Sequence, residues 1–207
     1  MKKYFVIGNP INHSLSPKLH NFWFKKHNLN AKYEKLLLEK GKLNDIVQKV
    51  KTGEISGLNV TVPFKQLIIP YLEKLSPEAQ NTQSVNTVYL ENNKLVGHNT
   101  DIAGFELAIR HIKFDTSNKN VLILGAGGVV PSVISALKNL NTKNIFLMNR
   151  TKEKAQKIKE KLEYIEVIDW GDIRDFDMII NATSLGLNKE DDLGLNFESI
   201  KKKILFY

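Results

Sequence analysis

Four short polar segments carry side chains suited to gripping a small, oxygen-rich molecule. They are Asn12 to Pro17, with His13, Ser14 and Ser16; Asn59 to Lys65, with Thr61; Ser84 to Thr87, with Asn86; and Asn99-Thr100-Asp101. Hydroxyls, amides, one lysine and one carboxylate suit a polyhydroxylated acid. They do not suit a metal ion, because the carboxylates are too few and no histidine-rich spacing occurs. Taken singly, Ser14, Ser16, Asn59 and Asn86 serve equally well as caps and turn formers. Asp101 could likewise cap a helix, and His13 and His20 could simply pack. Their joint spacing at the ends of strand-like segments favours a ligand, since open α/β sheets bind ligands at strand ends.

A second cluster, Gly125-Ala126-Gly127-Gly128, follows the apolar run Val121 to Leu124 and precedes a helical pattern. In that context the first glycine permits a tight turn and the second lets the backbone approach a pyrophosphate. Amides around Ala126, Gly128 and Val129, at the helix start, face its charge. Position 130, where the dinucleotide fingerprint has Gly or Ala, is Val130. Pro131 is tolerated near the helix start because its missing N–H would be unpaired there anyway. Alone, such a loop could be an ordinary strand-to-helix turn. An NAD site, however, has an acid about 20 residues on to bind the ribose 2′-OH. Here Asn149-Arg150-Thr151 stands in that place. A guanidinium grips a 2′-phosphate, and the missing carboxylate removes a repulsion, so the cofactor expected is NADP(H). Lys154 either adds to that charge or is a solvated surface lysine.

The elements that must hold these residues alternate. Strands are expected at Tyr4 to Ile7, Lys32 to Leu38 and Gly57 to Val60, with helices at Ser16 to His27 and Leu43 to Lys51. A short helical piece at Lys65 to Ile69 follows. Strands at Thr87 to Leu90 and Lys94 to Val96 flank Asn92-Asn93, a turn able to take positive φ. Asp101 opens an amphipathic helix to about Ile112. A second alternation then runs strand Val121 to Leu124, helix Gly128 to Leu140, strand Asn144 to Met148 and helix Lys152 to Leu162. Strands at Tyr164 to Ile168, Asp177 to Ile180 and Lys203 to Phe206 complete it. The expected fold is α/β: an N-terminal α/β substrate-binding domain over residues 1–101, then a Rossmann-type doubly wound parallel sheet over 102–207.

The chain has 207 residues and no cysteine, which excludes disulfides, thiolate catalysis and Cys-based metal sites. All but three of its 30 basic residues are lysines, spread along the chain. The formal charge of +8 therefore reads as a solvated lysine surface rather than a nucleic-acid footprint. No apolar run approaches a membrane span, and the apolar stretch after Met1-Lys2-Lys3 is too short for a signal peptide, so a cytoplasmic location is expected.

These motifs together resemble the shikimate dehydrogenase family, over essentially the whole chain. The resemblance rests on Ile7-Gly8-Asn9-Pro10, His13-Ser14-Leu15-Ser16-Pro17, His20-Asn21, Gly57 to Lys65, Asn86-Thr87 and Gly97-His98-Asn99-Thr100-Asp101 with Gly104. In the second half it rests on Gly125 to Gly128, Asn149-Arg150-Thr151 and Asn181-Ala182-Thr183-Ser184-Leu185-Gly186. It implies reversible NADPH-dependent reduction of 3-dehydroshikimate to shikimate, on the route to chorismate and the aromatic amino acids. It implies that Ser14 and Ser16 bind the substrate carboxylate, that Asn59, Thr61, Asn86 and Asp101 hold ring hydroxyls, and that Lys65 transfers the proton while Asp101 orients it. Cofactor contacts fall to Gly125, Ala126, Gly127, Gly128, Val129, Asn149, Arg150, Thr151, Lys154 and Thr183. Carbonyl reduction needs a proton donor on chemical grounds, because the alkoxide must be protonated as it forms. The state expected is a monomer or homodimer.

The family continues beyond a strand like Lys203 to Phe206, with a segment that supplies a glutamine to the substrate site. The sequence thus reads as C-terminally truncated, with weak or no turnover expected. An NAD-dependent quinate/shikimate dehydrogenase, disfavoured by Arg150, and an NADP-binding module without turnover are the alternatives.

Overall fold

Alternating apolar residues commit the first hundred residues to strands whose two faces are covered differently. The computed structural model describes residues 1–186, 190–198, 200 and 204–207. The chain divides into two units, Met1–Thr100 and Asp101–Tyr207.

In the first unit β1 (Lys2–Gly8), β2 (Ala31–Leu37) and β3 (Gly57–Val60) are parallel, joined through α1 (Ser16–Lys26) and α2 (Leu43–Lys51). The chain then turns back. β5 (Thr87–Glu91) pairs antiparallel with β3 and with β6 (Lys94–His98), giving the order β2-β1-β3-β5-β6-β4, where β4 is Lys74–Leu75. Asn92 and Asn93 both take positive φ, 48° and 60°, so the β5–β6 hairpin turns at the expected pair. β2 forms one edge of this sheet. One face carries the unit's larger core: Leu43, Ile46, Val47 and Val50, one stripe of α2, pack with Ile7, Leu58, Val60, Phe64 and Val88. The other face holds only Val6, Ile11 and Tyr33, with Tyr4 and Phe24 against them.

Besides a 3-10 turn at Lys40–Lys42, two elements escaped the sequence reading, β4 and α4 (Pro77–Thr82). β4 is two residues long, below any periodic signal. α4 did carry one: Ser76 accepts from the Ala79 N–H at 3.2 Å with Pro77 in the first helical turn, a capped start that its six residues were too few to flag by periodicity. The piece expected at Lys65 to Ile69 is α3 (Phe64–Leu67), followed by a 3-10 turn at Ile69–Tyr71.

In the second unit α5 (Asp101–His111) precedes five parallel strands in the order β11-β10-β7-β8-β9. These are β7 (Asn120–Leu124), β8 (Asn144–Met148), β9 (Ile165–Ile168), β10 (Met178–Asn181) and β11 (Leu205–Phe206), with α6 (Val130–Asn139) and α7 (Lys152–Lys159) as crossovers. The order reverses between β7 and β10, which makes a doubly wound sheet with its switch point there. One face packs Val121, Ile123, Ile134, Leu137, Met178 and Ile180 under α5 and α6, and the other packs Leu122, Leu124, Phe176 and Ile179. α6 starts at Val130 rather than Gly128 and α7 ends at Lys159 rather than Leu162, because the glycine turn and the last turn at 160–162 lie outside regular helix. Lys203, in the strand expected at Lys203 to Phe206, lies outside the described residues. Among the described residues no helix is long and apolar enough to cross a membrane.

Candidate functional site

The polar segments of the first unit gather where β1 and β3 end. Ser14 and Ser16 bracket the start of α1, where the Ser16 N–H donates to Ser14 Oγ at 3.3 Å; Leu15, at the cap, contributes no side-chain bond. Both serines are half-buried. Asn59 lies on β3 beside Thr87 on β5, and Thr87 beside His98 on β6, so the three side chains share one face of the sheet. It is the sparsely covered face, since Val6 of the smaller cluster is the partner of Asn59 on β1.

Hydrogen bonds link this row. Asn59 Nδ2 donates to the Asn86 carbonyl and to Thr87 Oγ1, each at 3.1 Å, while Asn59 Oδ1 accepts from the Tyr33 hydroxyl at 2.7 Å. Thr87 Oγ1 donates to Asn86 Oδ1 at 3.0 Å, which also accepts from the Thr100 N–H at 3.0 Å. Asn86 Nδ2 donates to Thr100 Oγ1 at 2.8 Å. Thr61 follows at the end of β3, where its N–H donates to the Ile7 carbonyl. One turn further on, α3 carries Lys65, buried at 8% exposure, with its carbonyl accepting from the Val85 N–H. Lysine is almost never this buried without a specific role for its ammonium. Asn99 is buried and structural, its amide donating to Thr82 Oγ1 and the Ser84 carbonyl. Asp101 is the first residue of α5, in the second unit, and is half-buried.

Tyr33 was not singled out from the sequence, and Thr87 and Thr100 were named there only within their polar segments with no role of their own, although all three bind the amides that were given one. The available signal was Tyr33 itself, a polar aromatic at an inward position of a strand, where its hydroxyl must find a partner. Burial pushes that hydroxyl above its ordinary pKa, with a hydrogen bond to the Ser16 side chain opposing. The Tyr33 ring stacks on His20 at 4.3 Å and 8°, and burial lowers the His20 pKa.

In the second unit the glycine turn lies at the switch point. Gly125 has φ +108°, and a Cβ there would stand 2.8 Å from the Ala182 carbonyl oxygen and 3.1 Å from Thr183 Cγ2. Gly125 is thus required by the fold. Gly127 differs: the nearest protein atom to a Cβ there would be the Ala182 oxygen at 4.0 Å. Among the described residues no atom excludes a side chain at 127, which is the expected condition of a glycine kept small for a bound phosphate. The segment after β10 is braced by its own side chains. Asn181 Oδ1 accepts from the Thr183 hydroxyl at 2.7 Å, Asn181 Nδ2 donates to the Leu185 carbonyl at 2.8 Å, and Thr183 Oγ1 accepts from the Leu185 N–H at 3.0 Å. Gly125 and Thr183, assigned to one cofactor, are therefore adjacent.

After β8, Asn149 Nδ2 donates to the Thr151 carbonyl at 2.7 Å, closing the turn that leads into α7 and leaves Arg150 and Lys154 exposed. Lys152, between them, is paired with Asp169 at 2.6 Å. Gly125 donates its N–H to the Met148 carbonyl at 2.8 Å, which ties the Asn149-Arg150-Thr151 turn to the glycine turn. The geometry fits a dinucleotide: a turn whose only side chain is the Ala126 methyl at a switch point, a braced loop on one side and a guanidinium on the other.

Comparison with known proteins agrees with both halves. Residues 6–88 match the model of the shikimate dehydrogenase substrate binding domain, and residues 106–188 match that of shikimate / quinate 5-dehydrogenase. A shikimate dehydrogenase (NADP(+)) of Pelagibacter ubique is 53% identical over 208 residues, which span 100% of this chain and 78% of the relative. The crystal structure of shikimate dehydrogenase from Aquifex aeolicus superposes with a TM-score of 0.92 at 38% identity, over 100% of this chain and 77% of that one. The Thermus thermophilus enzyme in complex with NADP(H) and shikimate superposes with a TM-score of 0.82 at 32% identity, over 90% of this chain and 70% of that one.

Proposed function

Because the chain belongs to the shikimate dehydrogenase family, we propose that it catalyses the reversible reduction of 3-dehydroshikimate to shikimate with NADPH. The single observation that carries the cofactor half is Gly127, a glycine whose side-chain space no atom of the described residues fills, set beside a turn with Arg150 in the acid's place. Bound NADPH supplies the hydride for the carbonyl carbon. The chain's own residues do the rest. Ser14 and Ser16, half-buried at the start of α1, donate to the substrate carboxylate. Asn59, Thr61 and Asn86 meet ring hydroxyls. Lys65 gives its ammonium proton to the oxygen as the carbonyl becomes an alcohol, and takes it back when the alcohol is oxidised. Asp101 has the orienting role that the family pattern assigns to it. Gly125, Ala126, Gly127, Gly128 and Val129 meet the pyrophosphate, Asn149, Arg150, Thr151 and Lys154 the 2′-phosphate end, and Thr183 the remainder of the dinucleotide.

The reading includes a cytoplasmic location, a monomer or homodimer, and no nucleic-acid or membrane partner. Calorimetric titration with NADP+ and NAD+, each with and without shikimate, tests it, together with shikimate-dependent NADP+ reduction followed by absorbance. NADP+ is expected to bind at least tenfold more tightly than NAD+, about 1.4 kcal/mol from the 2′-phosphate contacts. Equal affinities would remove Arg150 from the argument.

A further inference from the structure

Asn59 presents an unusual hydrogen-bond account for a residue assigned to ligand binding. Both hydrogens of its amide are given to protein acceptors, the Asn86 carbonyl and Thr87 Oγ1. Its oxygen accepts from the Tyr33 hydroxyl. A carboxamide has two N–H donors and two carbonyl lone pairs, so a single lone pair on Oδ1 is left for a ligand. The amide cannot simply turn over, because its oxygen would then face the Asn86 carbonyl, which offers no proton.

Among the described residues Tyr33 supplies the only donor on this amide's oxygen, and it is itself held independently of that bond. Its backbone N–H donates to Asn21 Oδ1 at 2.9 Å and its carbonyl accepts from Asn21 Nδ2 at 2.8 Å. Its ring is stacked on His20. Tyr33 as a residue is 3% exposed, and a hydrogen bond in such buried surroundings is strengthened.

We propose that Tyr33 is a positioning residue of the substrate site: its hydroxyl holds the Asn59 amide so that the one remaining lone pair of Oδ1 accepts a hydrogen bond from a ring hydroxyl of the substrate. The inference rests on the functional reading above, and deepens it by assigning both the direction of that hydrogen bond and a residue behind it. Asn59 thereby selects a ligand bearing a hydroxyl donor at that ring position over one bearing a carbonyl or ether oxygen there, since an acceptor would meet another acceptor.

The test is a double-mutant cycle in shikimate affinity, read by calorimetry and, for weak complexes, by ligand-observed NMR. Tyr33→Phe keeps the stacked ring and the Asn21 bonds and deletes the hydroxyl, with its bonds to Asn59 and to the Ser16 side chain; a parallel cycle with Ser16→Ala separates the second of these. It is expected to weaken shikimate binding on the order of tenfold while leaving NADP+ binding unchanged. In an Asn59→Ala background the same substitution is expected to change shikimate affinity by less than about twofold, because the residue it acts through is gone. A merely structural role would give the same loss in both backgrounds. A wild-type chain with no shikimate affinity would overturn the functional reading and this inference together. Shikimate affinity that is present in the wild type and unchanged by Tyr33→Phe, or lost equally in both backgrounds, would overturn this inference alone.

Discussion

Lys65 and His20 show how one cause, burial, serves different ends in a single unit. Lys65 is charged chemistry taken out of water, and its removal is expected to strike the proton-transfer step. Lys65→Ala is predicted to lower kcat by about 10²- to 10⁴-fold with a much smaller change in shikimate affinity. A change confined to KM would make it a binding group instead. His20 has its pKa lowered by burial from an ordinary 6.5. The unfolded chain therefore takes up this proton at a higher pH than the folded one does. Its contribution to stability is complete above pH 6.5 and is lost as pH falls below that toward the lowered folded-state value. NMR titration of the His20 ring should give a midpoint below 6.5, and His20→Phe should flatten this part of the stability profile between about pH 7 and 5. A midpoint at or above 6.5 would contradict the burial argument.

At the scale of elements, the two glycines of the turn between β7 and α6 make opposite predictions. Gly125→Ala forces a side chain into a left-handed conformation 2.8 Å from a carbonyl oxygen, and is expected to cost on the order of 3 kcal/mol, seen as a lowered Tm. Gly127→Ala meets no protein atom closer than 4.0 Å, so Tm should move little while NADP+ affinity falls at least tenfold. Loss of stability at 127, or unchanged NADP+ affinity there, would reassign that glycine to the fold. These elements were legible in advance because their signals are local: a four-residue apolar run before glycines, the stripe Leu43, Ile46, Val47 and Val50, and Asn92-Asn93 between two alternating runs. β4 was not, because two residues hold no period, and α4 announced itself only through its cap. Ser76→Ala should cost about 1 kcal/mol, measurable by urea denaturation, if that cap matters as its 3.2 Å bond suggests. The polar segments were legible as a set, but which side chain bonds which was not. The Tyr33–Asn59 bond joins residues 26 apart on strands separated by β1, and nothing periodic in the sequence marks such a pair.

Across the whole molecule, each unit has a core of its own, and apart from Asp101 the residues assigned to the substrate lie in the first unit and those assigned to the cofactor in the second. Hydrogen exchange should therefore respond separately: NADP+ alone is expected to protect amides of β7, β10 and α6, and shikimate alone those of β3 and α3. Uniform protection by NADP+ of both units would contradict that assignment. The +8 charge adds a long-range term, and affinity for the anionic cofactor is expected to weaken as salt rises toward 0.5 M. The edge of the first sheet carries a further consequence. On its outer side the backbone of β2 is bonded at Tyr33 by the Asn21 side chain, and Lys32 and Glu34, paired at 2.8 Å, and Lys35, which reaches the Asn12 carbonyl at 2.6 Å, are set along the strand. A strand arriving from another molecule would have to desolvate those charges before it could add to the sheet. Charge along β2 thus opposes addition of a further strand at this edge, a use for part of the chain's basic composition that is separate from ligand binding.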